Sequence, residues 1–217
     1  MGQNGFDVMQ SWMVKFVDDF DIGSGNNPRP GVTRIGVVEF WAEGFFYPRN
    51  SCSEVPIPLG DYNDKADLIN KINALRYRNG TVTYIESVLE KLLGANQFGV
   101  NITAGRQRIA ILVSDGQEET SLPDAGVSRE WMIGNATEIK KRGVQVFAIG
   151  FGNVNRANLN IIASSKNNVF ATSNQTELSN EVLDRFYNRL VTQICPEAPT
   201  RSVPSKFDWC MLECEGG

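Results

Sequence analysis

Asp115 carries the plainest chemical potential in the sequence. It closes an apolar run in "AILVSDGQEE", residues 110–119, directly after Ser114 and before Gly116. A carboxylate at that point is either a turn residue, since Asp and Gly are ordinary turn formers, or part of a ligand site. The second possibility follows because open α/β sheets bind just beyond the carboxyl ends of their strands. One Asp does not decide between them.

Other chemistry is restricted by what is missing. Histidine is absent, which removes Ser-His-Asp and Cys-His nucleophilic machinery and every histidine-ligated zinc site. No Gly-x-x-x-x-Gly-Lys-Ser/Thr phosphate loop is present. Carboxylate acid-base chemistry stays available, so an enzyme of the hydrolase or phosphatase type is disfavoured rather than excluded. Twenty-one Lys and Arg against 25 Asp and Glu give a net charge of -4 with no basic run, so nucleic-acid binding has little electrostatic support. No apolar stretch reaches the ~20 residues that span a bilayer, and no signal-peptide pattern opens the sequence.

The four cysteines, Cys52, Cys195, Cys210 and Cys214, form no Cys-x-x-Cys pair. Three of them cluster near the carboxyl end, as at the start of a disulfide-stapled module; their connectivity is not legible from sequence. Asn79, Asn101, Asn135 and Asn174 head Asn-x-Ser/Thr triplets. Asn101, Asn135 and Asn174 are the candidate glycan acceptors, with plain surface solvation as the alternative, and Asn79 is expected to stay unmodified. Cysteines and sequons together favour an oxidising, extracellular setting.

The elements that must position Asp115 follow from periodicity. Phe6, Met9, Trp12, Met13, Phe16, Val17 and Phe20 recur at helical spacing, with Gly23, Ser24 and Gly25 behind them. "TRIGVVEFW" (Thr33 to Trp41) reads as a strand, and the proline-bearing "EVPIPL" (Glu54 to Leu59) as an edge strand. Asn63 is a candidate cap for a helix to about Leu75, with Ala66, Ile69 and Ile72 inward. A helix marked by Ile85, Val88, Leu89 and Leu92 precedes the strand "RIAILV". A further helix runs from about Arg129 to Arg142, followed by the buried parallel-type strand "VQVFAIGFG". A helix around Leu159 to Ala163, the strand "NVFAT" and a helix from Thr176 to about Thr192 complete the series. The class is α/β with a mostly parallel, doubly wound sheet flanked by helices. Residues 1–194 form one domain; 195–217 read as a Cys- and Pro-bearing linker or the start of a following module.

"VQVFAIGFGNVNRANLNIIAS", "NNVFATSNQTELSNEVLDRF", "IAILVSDGQ" and "NGTVTYIESVL" resemble, in order and spacing, segments of the von Willebrand factor type A domain. The likeness runs from Met1 to about Ile194. It implies a metal site at the carboxyl edge of the sheet, where an Asp-x-Ser-x-Ser loop, one Thr and one Asp hold a divalent cation. By motif position Thr81 is the Thr and Asp115 the Asp; Thr81 has helix capping as its plainer role. Mg²⁺, or Mn²⁺, suits such hard oxygen ligands and keeps some water. Thr83, Gln117 and Glu118 are candidates for the rim of a partner-binding face, against a solvated acidic loop as the alternative.

The sequence departs from the family in lacking the Asp-x-Ser-x-Ser loop and the central first strand that carries it. Neighbouring strands lie ~4.8 Å apart, so omitting a central one leaves a gap or forces two strands together. The expectation is a chain begun at an internal methionine and poorly folded alone, with the alternative of a complete, metal-free member. Metal is expected weakly or not at all in the chain as it stands. The function implied is an extracellular adhesion module that binds a protein or matrix ligand through a metal-bridged carboxylate. The alternative is a structural matrix or shell protein that uses the fold without metal.

Overall fold

The computed structural model describes residues 2–23, 33–41, 53–78, 84–94, 107–114, 116–117, 125–171 and 185–190. In chain order the elements are α1 (Gln3–Asp18), β1 (Val37–Phe40), β2 (Ser53–Ile57), α2 (Lys65–Asn73), α3 (Ile85–Leu92), β3 (Arg108–Val113), α4 (Ala125–Lys141), β4 (Val144–Gly150), α5 (Arg156–Ile162) and β5 (Val169–Ala171). Residues 185–190 are helical.

β3, β4 and β5 form a parallel sheet in that order, joined by helical crossovers. Parallel strands require such crossovers, because a tight turn returns the chain antiparallel. β4 lies in the middle, and its residues from Val146 to Gly150 are all buried, as its continuous apolar run predicts. Alternation along β3 and β4 builds two cores. Ala110, Leu112, Val146 and Ala148 pack with α3, α4 and α5 residues such as Leu89, Met132, Ile139 and Leu159. Ile109, Ile111, Val113, Phe147 and Ile149 face Val8, Trp12 and Phe16 of α1 and Phe186 and Leu190 of the helical segment 185–190. The result is helices on both faces of a parallel sheet, the arrangement the strand-helix alternation implies.

β1 and β2 pair antiparallel as a separate sheet. The proline within β2, Pro56, is accommodated because, among the described residues, the strand has β1 alone as a neighbour. Ile35 and Val37 face a third core with Val17, Phe20, Leu68 and Ile72, while Val38 and Phe40 reach the α3 side. Among the described residues β1 and β3 share no ladder. Leu89 of α3 packs in the β3–β4 core that Val38 also touches, and Phe16 of α1 lies against both the second and the third core.

Several boundaries differ from the sequence expectation. α1 ends at Asp18, with Asp19 as its last capping residue, rather than at Phe20. The first strand contracts to Val37–Phe40; Thr33 instead makes a single bridge to Ile22. Asp64, not Asn63, caps α2, its carboxylate accepting from the Asp67 amide at 3.0 Å. Its buried stripe is Leu68 and Ile72, and Ala66 is exposed. α4 starts at Ala125, four residues before Arg129, because its first turn is held by polar contacts that apolar periodicity does not register. The expected domain boundary at 194–195 lies outside the described residues.

Candidate functional site

The carboxyl end of β3 is built by backbone hydrogen bonding first. Ser114 extends the ladder by one residue, its amide donating to the Ile149 carbonyl at 3.0 Å. Its hydroxyl, 5% exposed, then accepts from the Gly116 amide at 3.1 Å. Gly116 has φ +73°, a conformation open to glycine at little cost. A Cβ there would sit 2.9 Å from both the Asn155 carbonyl oxygen and Leu159 Cδ2. Glycine is therefore required twice, for its backbone angle and for its closeness to α5.

Around this turn the first turns of three helices converge. In α3, the buried Glu86 carboxylate accepts from the Ser128 hydroxyl of α4 at 2.5 Å. The neighbouring Arg129 donates to Asn158 Oδ1 of α5 at 2.8 Å, and Asn158 Nδ2 donates to the Gly116 carbonyl at 3.0 Å. α5 is itself capped by Asn155, whose side chain accepts from the Asn158 amide at 3.2 Å. Within this chain Asn158 has a partner at both ends of its amide, as a buried amide requires.

Most residues singled out from sequence lie outside the described residues: Thr81, Thr83, Asp115 and Glu118 among the site candidates, Asn79, Asn101 and Asn174 among the sequons, and Cys52, Cys195, Cys210 and Cys214. Their neighbours in the chain give the site its frame. Ser114 and Gly116 flank Asp115. Tyr84, 4% exposed, opens α3 shortly after the Thr81 loop. Gln117 is half-buried, and its amide donates to the Asn153 carbonyl at 2.5 Å, tying the turn to the loop after β4. Asn135 is also half-buried and donates through Nδ2 to the Glu86 carbonyl at 3.2 Å. A glycan on that nitrogen would compete with this bond.

Asn158, Arg129 and Ser128 had no signal in the sequence beyond being polar residues near helix starts. Only a helix capped by Asn155, with its Asn-x-x-Asn spacing, was in principle visible. Among the described residues, the groups displaced from their ordinary values include two away from this turn. Burial, and then the Glu54 carboxylate, push the Glu39 carboxyl up on β1, against the opposing pull of Arg78. Burial lowers Lys140 at the far end of α4.

Asp115 and Thr81, the expected ligands, lie outside the described residues; a carboxylate and a hydroxyl are in kind the oxygen donors Mg²⁺ and Mn²⁺ prefer. The turn that carries Asp115 is clamped on both sides. Among the described residues no group of three or more His, Cys, Asp or Glu side chains is arranged to hold a metal. The Asp-x-Ser-x-Ser donors are absent from the sequence.

The family model of the von Willebrand factor type A domain matches residues 1–185. The chain is 23% identical over 212 residues to the collagen alpha-1(XXI) chain of Xenopus laevis, covering 93% of this chain and 18% of that protein. It is 24% identical over 162 residues to matrilin-1 of Bos taurus, covering 73% of this chain and 25% of that one. It therefore spans a quarter or less of these relatives' own length. Among solved structures it is similar to proximal thread matrix protein 1 from the mussel byssus, with a zinc-occupied MIDAS motif. That likeness has 26% identity and a TM-score of 0.65, over 85% of this chain and 42% of that one. The vWF domain of the type V pili tip protein Mfa5 from Porphyromonas gingivalis shares the fold, with 13% identity and a TM-score of 0.60 over 95% of this chain and 94% of that one. These relatives include proteins of the extracellular matrix, and among them a metal is held at the family's site.

Proposed function

We propose that this chain, which belongs to the von Willebrand factor type A domain family, is an extracellular binding module whose contact face is the carboxyl end of β3. The observation that carries the proposal is the clamp on the turn after Ser114. A hydroxyl below, an amide above and a glycine at positive φ hold the backbone on either side of Asp115. Ordinary turns do not need such an investment of buried polar groups. A ligand-bearing turn does, because a ligating carboxylate works only when its backbone is fixed.

On this reading Asp115 and Thr81 hold Mg²⁺ or Mn²⁺, and the ion supplies a coordination position for a carboxylate of a protein or matrix ligand. Gln117 steadies the rim, with Thr83 and Glu118 beside it. No enzymatic step is assigned. The similarity to collagens and a matrilin supports a matrix setting, an extracellular location and a protein partner. A second reading, a structural spacer without metal, is favoured by one observation: the Asp-x-Ser-x-Ser donors are missing from the sequence.

The two readings separate in a chain supplied with an Asp-x-Ser-x-Ser strand and loop ahead of Met1. Binding to an immobilised matrix extract is measured with Mg²⁺ and with EDTA. The metal-bridge reading expects EDTA to abolish binding, and Asp115→Ala and Thr81→Ala to weaken it with unchanged circular dichroism. Normal binding by both variants, together with an indifferent response to EDTA, leaves the spacer reading.

A further inference from the structure

We infer that the outward face of α4 is a self-association surface, on which a second copy of this chain lays its own α4 antiparallel about a two-fold axis. The inference is independent of the contact face proposed above.

α4 is apolar on two sides. Its inward stripe, Met132, Ala136 and Ile139, is buried in the core shared with α3, β3 and β4. Among the described residues the large apolar side chains left exposed are Val127 at 44%, Trp131 at 52% and Ile133 at 39%, and all three belong to this helix. A surface helix needs a single apolar stripe, and one that is apolar on its outer side as well is suited to being covered there too. Gly134 lies on that outer side, between the flanks that carry Trp131 and Ile133. A Cβ on Gly134 would meet nothing within 4 Å. Packing within the chain therefore does not call for glycine, a residue that weakens a helix interior. Its effect is a shallow floor between apolar ridges, where another helix can approach closely.

Charge identifies that helix. Glu130 and Lys141 are both exposed. They lie three turns and about 20° apart, so they share one line along α4, roughly 16 Å from each other. In an antiparallel pair of identical helices, residues equally far from the midpoint stand level with one another. With the midpoint between Asn135 and Ala136, Glu130 of each copy meets Lys141 of the other, and this happens twice. Gly134 then sits about 2 Å from the crossing point. The same register sets Trp131 level with the Glu138–Arg142 ion pair of the second copy, whose members are 3.0 Å apart on the same flank of the helix. A guanidinium there can stack on the indole. A parallel pair would instead oppose Glu130 to Glu130 and Lys141 to Lys141. A two-fold interface requires a surface complementary to itself, and the antiparallel register meets that requirement.

The 17 residues of α4 offer a small interface, so a dissociation constant on the order of tens of micromolar is expected. The test is sedimentation of the full chain alone, from low micromolar to about 0.5 mM. The parent is expected to dimerise. Glu130→Lys and Lys141→Glu each place like charges opposite one another and should weaken association roughly 10-fold or more. An equimolar mixture of these two variants restores both opposite-charge contacts and should dimerise like the parent. Gly134→Gln fills the floor, so it should weaken association while raising the melting temperature of the monomer. Loss of fold alone cannot produce that combination.

A parent that stays monomeric over the whole range overturns the inference and leaves the apolar face to a different partner. Charge variants that dimerise like the parent overturn it as well, because association would then lie elsewhere on the surface. Failure of the mixture to recover dimers overturns the antiparallel register.

Discussion

Glu39 of β1 stands directly across the ladder from Glu54 of β2. Arg78 pairs with Glu54 and lies over the Trp41 ring, 4.0 Å from its centroid. Glu39 Oε1 is buried with no hydrogen-bond partner among the described residues. Two like charges opposite one another are unfavourable, and the cation beside them is engaged with one of the two.

A pH dependence follows. Burial first and Glu54 second raise the Glu39 carboxyl above its ordinary 4.5, with Arg78 opposing. Between 4.5 and that raised value the folded chain keeps a proton that the unfolded chain has lost. Stability from this group is therefore complete below 4.5 and falls as pH rises through the folded value. Glu39→Gln is expected to raise the melting temperature at pH 7 and to leave it unchanged at pH 4. The half-exposed site and its screening limit the gain to at most roughly 2–4 °C. Thermal unfolding at both pH values checks this; an equal shift at both would assign the effect to packing instead of charge.

Gly116→Ala should be among the costly single substitutions. It strains the backbone at φ +73° and drives a methyl against a carbonyl oxygen and Leu159. The expected loss is about 1–3 kcal/mol, read from denaturant unfolding. Gly126→Ala, where nothing lies within 4 Å, is the control and should be neutral or better.

Phe186 links three aromatic neighbours. Its ring lies 5.7 Å from Phe147, 5.1 Å from Phe170 and 5.8 Å from Trp12, all edge-on. Phe186→Ala opens a cavity under a helix whose inward residues also include Leu190, and should cost about 3–5 kcal/mol. A loss below 1 kcal/mol in calorimetry would mean that the segment 185–190 is not docked on the sheet in solution.

Lys140 ties the ends of two helices together. Its ammonium donates to the Ile161 carbonyl at 2.6 Å and the Ala163 carbonyl at 3.4 Å. Lys140→Met keeps the apolar stem and removes the donor, leaving carbonyls at the end of α5 short of a partner. A loss of about 1–3 kcal/mol is expected, with faster amide exchange confined to 159–164. Uniform acceleration over the chain would place the effect in global stability.

Much of this protein was legible without coordinates, because its elements are periodic over long runs. The stripe from Phe6 to Phe20, the near-continuous apolar run of β4 and the proline of β2 each name their own environment. Periodicity reports which face meets apolar neighbours, and it does so from local sequence alone. Asp115 was conspicuous for the same reason, as a charge where an apolar run stops. The lack of an Asp-x-Ser-x-Ser loop was equally plain.

Polar contacts between distant segments were not legible. Asn158 and Arg129 are 29 residues apart, and Asn158 and Gly116 are 42 apart. Nothing in the local pattern of either partner signals the other. The same holds for the start of α4, where Ser128 is buried through its bond to Glu86, 42 residues earlier, instead of by an apolar stripe. A hydrogen bond is short and directional, so it exists only once the helices have packed and brought donor to acceptor. The sequence by itself determined the α/β class, the mostly parallel sheet and the apolar run that forms β3. Only the tertiary structure decided that the turn after β3 is clamped, because the clamp is made of polar atoms whose proximity is a product of folding.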